Sequence, residues 1–239
     1  MTRIDDAPRE GLENQGILAR ADRYNRWIVD SLRPWAGRRL LDAGCSIGNL
    51  TRHWLDGREL VVGVDIVAEY VRRIRARLGR RPGFHAARVD LADPRLRGLA
   101  RFRFDTVTCV NVLEHVPADE AALANLHAVL RPGGHLLLLV PAGPWLYGTM
   151  DEAESHCRRY RAGELRAKIA RAGFHVVRFY SMNVPALFGW FANGRLLRRR
   201  TLPAVQMAAY NRVIPLVAAL ERILPPPLGL SLVAVARRP

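Results

Sequence analysis

The ten residues Asp151-Glu152-Ala153-Glu154-Ser155-His156-Cys157-Arg158-Arg159-Tyr160 put a base that titrates near neutral pH, two cations and a phenol within five positions. His156 could take a proton there, and Arg158 and Arg159 could clamp a carboxylate or phosphate. The same arginines could equally pair with Asp151, Glu152 and Glu154 and simply order the loop. Cys157 reads as a packing residue. A second histidine, His115, lies in Asn111-Val112-Leu113-Glu114-His115-Val116, where it either faces a reacting group or braces the loop that carries Asn111. Earlier in the chain, Leu40-Leu41-Asp42-Ala43-Gly44-Cys45-Ser46-Ile47-Gly48-Asn49 has the composition of a strand entering a small-residue turn, where a ligand can approach the backbone. Asp65 follows Asp42 by 23 residues, the place for a carboxylate that accepts hydrogen bonds from ribose hydroxyls. Val89-Asp90-Leu91 supplies a further acid after the next apolar run. The aromatics Tyr24, Trp145 and Tyr147 are candidates for the wall of a substrate pocket.

The elements that must position these residues alternate along the chain. Apolar runs at Arg39–Ala43, Leu60–Val64, Phe84–Val89, Asp105–Val110 and His135–Val140 read as strands. Asn49–Leu55, Ala68–Leu78 and Asp119–Leu130 read as the helices between them, the last stopped by Arg131-Pro132-Gly133-Gly134. Gly16–Leu32 reads as a leading helix. After a loop over Ala142–Tyr160 come a helix at Ala162–Ala172 and strands at Phe174–Tyr180 and Leu230–Ala236. The intervening 181–229 reads as a helical insertion broken by Pro185, Pro203, Pro215 and Pro225–Pro227. This rhythm is that of a mostly parallel sheet covered by helices, with the polar strand ends gathered in one crevice.

Composition narrows the function classes. The chain has 239 residues, 49% of them hydrophobic and 25% charged, so disorder and fibrous architectures are excluded. Three cysteines without a paired spacing argue against a disulfide scaffold and against a structural zinc site, and no metal is expected. Residues 1–16 lack the apolar core of a signal peptide, and Phe179–Gly194 is too short and too polar to span a bilayer, so a cytoplasmic, soluble protein is expected. The net charge of +15 rests on 37 basic residues, of which Lys168 alone is lysine. Residues 151–239 carry most of the excess, a charge that could attract phosphates, nucleic acid or an anionic membrane surface. In the loop after the first strand, positions 44, 46 and 49 hold Gly, Ser and Asn, which fits a nicotinamide fingerprint poorly, and no Walker lysine follows.

Read together, LLDAGCSIGN, VVGVD, RVDLAD, FDTVTCVNVLEHV and LRPGGHLLLLVP resemble, in order and spacing, the class I S-adenosylmethionine-dependent methyltransferases, more narrowly their small-molecule branch. The resemblance covers about residues 20–180. It implies a Rossmann-like seven-stranded sheet with helices on both faces and an antiparallel last strand, within one domain over 1–239. It also implies that Asp42, Gly44, Cys45, Ser46 and Gly48 surround the methionine part of the cofactor. Asp65 would hold the ribose, Ile66, Asp90 and Leu91 the adenine, and Asn111 and Val112 the floor near the sulfonium. Ser46 stands where the family usually has glycine, and serine fits there if its torsions are ordinary.

The expected activity is O-, N- or C-methylation of a small molecule, for instance an amphiphilic acid, with S-adenosylhomocysteine as product. His156 and His115 are the catalytic candidates; Tyr24, Trp145, Tyr147, Arg158, Arg159 and Tyr160 are the substrate candidates. The alternatives are a decarboxylase or cyclase that uses the same fold without methylating, an RNA-binding methyltransferase, and a cofactor-binding regulatory subunit without activity. No DNA partner is expected, and a monomer or homodimer is. The basic insertion offers contact with an anionic membrane.

Overall fold

The computed structural model describes residues 9–239. The apolar runs pair as seven strands: β1 (Arg39–Ala43), β2 (Leu60–Asp65), β3 (Phe84–Arg88), β4 (Phe104–Val110), β5 (Leu130–Pro141), β6 (His175–Met182) and β7 (Ser231–Arg237). They form one sheet in the order β3-β2-β1-β4-β5-β7-β6. The first five strands are parallel, and β7 runs antiparallel to both β5 and β6, as expected for a reversed last strand. The order turns back between β1 and β4, the place where parallel sheets of this kind open a crevice. Ala43 lies level with Val64 on one side and Cys109 on the other, so Gly44, Asp65 and Asn111 leave the sheet at one edge.

Alternation along the strands separates two cores. Leu41, Val62, Leu136 and Leu138 pack on one face with Leu123 and Leu126 of α5 (Asp119–Val129) and Leu165 and Ile169 of α7 (Ala162–Arg171). Leu40, Val61, Leu137 and Leu139 pack on the other with Ile28, Val29 and Leu32 of α2 (Asp22–Leu32) and Val71 and Ile74 of α4 (Ala68–Leu78). The strands are therefore apolar on both faces, the pattern of a sheet buried between helices.

Three expectations change. The leading helix is two, α1 (Arg9–Arg20) and α2, parted at Ala21. Arg131–Gly134 does not lie between helix and strand: β5 starts at Leu130, and the Gly133 and Gly134 backbones pair with Arg238. The insertion contains α8 (Val184–Phe191), a π turn (Ala192–Leu196) and α9 (Ala204–Ile223), and Pro215 does not break α9. Proline removes one helical hydrogen bond, but Ile214 beside it is buried and α9 packs along α2, which holds the helix together. Two short helices, α3 (Thr51–Trp54) and α6 (Thr149–Ala153), complete the set. Among the described residues no helix is long and apolar enough to cross a membrane. Residues 1–8, part of the stretch read for a signal peptide, lie outside the described residues.

Candidate active site

The crevice is assembled from strand ends. Gly44 has φ +79°, and a Cβ there would lie 2.1 Å from a methyl of Val112, so only glycine lets these two segments meet. Gly48, at φ +86°, sits against Ile74 of α4, where a Cβ would be 2.9 Å from that side chain. Asp65 accepts a hydrogen bond from the Ser46 amide and one from the Val67 amide, each at 2.9 Å. Burial pushes its pKa up, and these two bonds oppose that shift. Each carboxylate oxygen keeps a lone pair for a further donor. Ser46 is not in an ordinary conformation: its φ is +48°, in the left-handed region, and its hydroxyl is buried without a hydrogen-bond partner.

The other residues expected to hold the cofactor fall into two groups. The Asp42 carboxylate is taken up by the Thr51 hydroxyl at 2.6 Å and the Thr108 hydroxyl at 2.8 Å, tying β1 to α3 and β4. Cys45 is buried against Gly63 of β2. Ile66 and Asp90 are accessible at the ends of β2 and β3, while Leu91 is buried in the core. The Asp90 carboxylate accepts the Ala92 amide at 2.8 Å. Asn111, at φ +51°, donates its amide to the Leu139 carbonyl at 2.8 Å and leads from the crevice into a cavity of about 290 Å³.

That cavity lies between the carboxyl edge of the sheet and the insertion. Leu18 of α1, Met150, Trp190, Leu202 and Met207 supply much of its apolar wall. Its polar end is built around Asp151, which is fully buried. One Asp151 oxygen meets His156 Nδ1 and receives Arg159 Nε, both at 2.7 Å; the other receives Trp190 Nε1 and the Gly148 amide, both at 3.1 Å. Burial alone would raise the Asp151 pKa, but His156 and Arg159 together hold it below the usual carboxylate range. The Arg159 guanidinium also lies 4.8 Å from the Trp190 ring centroid. Tyr147 donates to the His156 carbonyl at 2.8 Å. The imidazoles of His115 and His156 meet edge to face with centroids 4.7 Å apart. Packing and the neighbouring His156 push the His115 pKa down, which favours a neutral ring.

Of the residues expected at the substrate, Tyr24 and Arg159 line the cavity together with both histidines. Trp145 is 55% exposed and lies 6.3 Å from Phe191. Tyr147 borders a separate, more open pocket instead. Arg158 donates to the Val116 and Pro117 carbonyls and pairs with Asp119, and the buried Tyr160 hydroxyl also reaches Asp119, at 2.9 Å. The extended backbone explains this split. Successive side chains alternate, so Arg158 and Tyr160 point one way and Arg159 the other.

Sequence reasoning passed over Glu114, Asn183 and Tyr210. Glu114 is fully buried and lines the cavity, yet neither carboxylate oxygen bonds to another residue. Burial raises its pKa to about 7. Asn183 caps α8 and accepts the Tyr210 hydroxyl at 2.6 Å, while Tyr24 also bonds to its side chain.

Residues 41–136 match the sequence family described as a methyltransferase domain. The ubiquinone biosynthesis O-methyltransferase of Ralstonia nicotianae is 30% identical over 110 residues, covering 46% of this chain and 45% of that protein. The chain thus spans less than half the length of the curated relatives it matches first. A solved S-adenosylmethionine-dependent methyltransferase from Mesorhizobium loti superposes with a TM-score of 0.60 at 19% identity, over 87% of this chain and 96% of that one. The 4+2 cyclase SpnF superposes with a TM-score of 0.58 at 20% identity, over 91% and 81%. Residues 41–136 match a methyltransferase domain, and the chain that carries them has the fold of solved S-adenosylmethionine-dependent methyltransferases.

Proposed function

We propose that the chain transfers a methyl group from S-adenosylmethionine to a small molecule held in the 290 Å³ cavity. The observation that carries this reading is Asn111, which belongs at once to the strand-end crevice and to the cavity wall. The crevice fits the cofactor: Gly44 leaves no room for a side chain, and Asp65 keeps lone pairs free at the end of β2. Asp65 would hold the ribose hydroxyls, Ile66 and Asp90 would flank the adenine, and Gly44, Ser46, Asn111 and Val112 would border the methionine part. The cofactor supplies a methyl group on a sulfonium that is its own leaving group. What remains for the protein is to bind the acceptor, align it and exclude water.

An apolar wall with a polar end suits an amphiphilic acceptor. His156, oriented through Nδ1 by Asp151, and His115 beside it would meet the reacting end, and Arg159 would place positive charge nearby. The O-methyltransferase relative favours oxygen as the attacking atom. Delivery of such an acceptor would suit the insertion. All but two of the exposed large hydrophobic side chains among the described residues, Trp145 and Val177 excepted, lie within 183–230. That stretch carries six arginines and one acid, Glu221. We read it as a face for peripheral contact with an anionic membrane.

Calorimetric titration with S-adenosylhomocysteine, followed by a screen of amphiphilic phenols and acids with S-adenosylmethionine for S-adenosylhomocysteine formation, tests the reading. Micromolar binding and product release support it. Absence of binding in folded protein overturns it. Acceptor turnover without S-adenosylhomocysteine would favour a non-methylating reaction, as the shared fold of a cyclase allows.

A further inference from the structure

We infer that the polar end of the cavity is a binding site for a divalent first-row transition cation, with Glu114, His115 and His156 as its ligands. One carboxylate oxygen and one imidazole nitrogen from each histidine all lie within 4.8 Å of one another. Two imidazoles and a carboxylate on one side of a cavity leave the remaining coordination positions open to a ligand. The ligand atoms of a tetrahedral site stand roughly 3.3 Å apart. Side-chain rotation that closes the widest separation by roughly 1.5 Å would therefore complete it.

Two independent features point to a cation here. The first is Glu114: a fully buried carboxylate whose oxygens bond to no other residue is costly, and native proteins rarely leave one unexplained. A cation would satisfy it. The second is the support behind His156. Its Nδ1 lies 2.7 Å from Asp151, which is itself fixed by Arg159, Trp190 and the Gly148 amide. Carboxylate–histidine pairs of this kind fix the ring that binds a metal through its other nitrogen. Nothing in the sequence spacing announces the site, because Glu114 and His115 follow β4 while His156 lies beyond α6. The open positions would face the cavity, where they could take an oxygen or nitrogen of the acceptor. In that respect the inference rests on the proposed acceptor pocket; its test does not.

The test is titration of chelator-treated protein with Co²⁺, read by visible absorption, with Zn²⁺ as competitor. In parallel, S-adenosylhomocysteine is titrated into the same samples. Wild type is expected to bind one equivalent of Co²⁺ with d–d bands of a low-coordinate site. Glu114→Gln and His156→Gln should each weaken binding at least tenfold while keeping S-adenosylhomocysteine affinity, which also reports that they fold. His175→Gln, on an exposed edge-strand position, should change nothing. No Co²⁺ binding, or binding that follows His175 and ignores Glu114 and His156, overturns the site. Loss of S-adenosylhomocysteine binding in wild type would instead strike the methyl-transfer reading and leave the cation result to stand alone.

Discussion

The strand-end crevice and the cavity beside it are built in opposite ways. In the crevice, both buried acids are satisfied: Asp42 by two threonines, Asp65 by two backbone amides near the ends of β1 and β2. In the cavity, satisfaction is uneven. Asp151 gathers His156 and Arg159 from its own loop and Trp190 from α8, while the Glu114 carboxylate a short distance away accepts no hydrogen bond from another residue. A crevice made of strand ends can hold its acids with groups fixed in and beside the sheet. A pocket that must meet a reacting atom keeps groups that only its ligand completes.

The sharpest way to break this comparison is at Asp151. Asp151→Ala removes the carboxylate from a buried guanidinium that remains charged, so a loss of about 3–5 kcal/mol in unfolding free energy is expected. Urea titration measures it. A loss below 1 kcal/mol would show that Arg159 finds another partner and that the hub is dispensable. The crevice should respond more mildly and in a different observable. Asp65→Ala should weaken S-adenosylhomocysteine binding by about 1–3 kcal/mol, because charge-assisted hydrogen bonds to the ribose are lost. Unchanged affinity in a folded variant would remove Asp65 from the site.

This difference in construction is also why one region was legible and the other was not. Each strand end of the crevice is a contiguous stretch, so Gly44, Asp65, Asp90 and Asn111 could be read from order and spacing. The cavity joins Asn111 to Met150, His156, Trp190 and Met207, across α1, the loop after β5 and the insertion. Sequence could single out His156, which lines the cavity, yet gave equal weight to Arg158 and Arg159. Only the extended backbone and the bridge from Ala142 to Tyr160 separate them. Glu114 carried one signal, its position between the apolar Leu113 and Val116, but an acid beside a histidine after a strand reads as a solvated loop residue. Its isolation is a property of the packed fold.

Asp119 sharpens the comparison from outside both regions, because it shows what a buried acid looks like when its role is purely structural. Burial would raise its pKa. Hydrogen bonds from Lys168 and Tyr160 and the charge of Arg158 outweigh that effect and hold it below the ordinary value. A carboxyl depressed in the folded state stabilises the protein above its unfolded pKa, near 4. That contribution is lost as pH falls through the folded value. Wild type should therefore exceed Asp119→Asn in urea midpoint at pH 7, with the gap closing below about pH 4. A gap that persists unchanged into acid would mean that the charge of Asp119 contributes nothing.

The smallest expected effect is at Ser46, and it separates strain from function within the crevice itself. A non-glycine residue at φ +48° costs of order 1 kcal/mol, and the buried Ser46 hydroxyl adds an unmet polar group. Glycine removes both, at the expense of a more flexible unfolded chain. Ser46→Gly should thus gain about 0.5–1 kcal/mol in stability by urea titration. Because the amide of residue 46 still reaches Asp65, S-adenosylhomocysteine affinity should hold. If the glycine variant is more stable but binds the product several-fold more weakly, the serine hydroxyl is a ligand contact. Its strain would then be maintained for binding, and the crevice would share with the cavity the habit of leaving a polar group for its ligand.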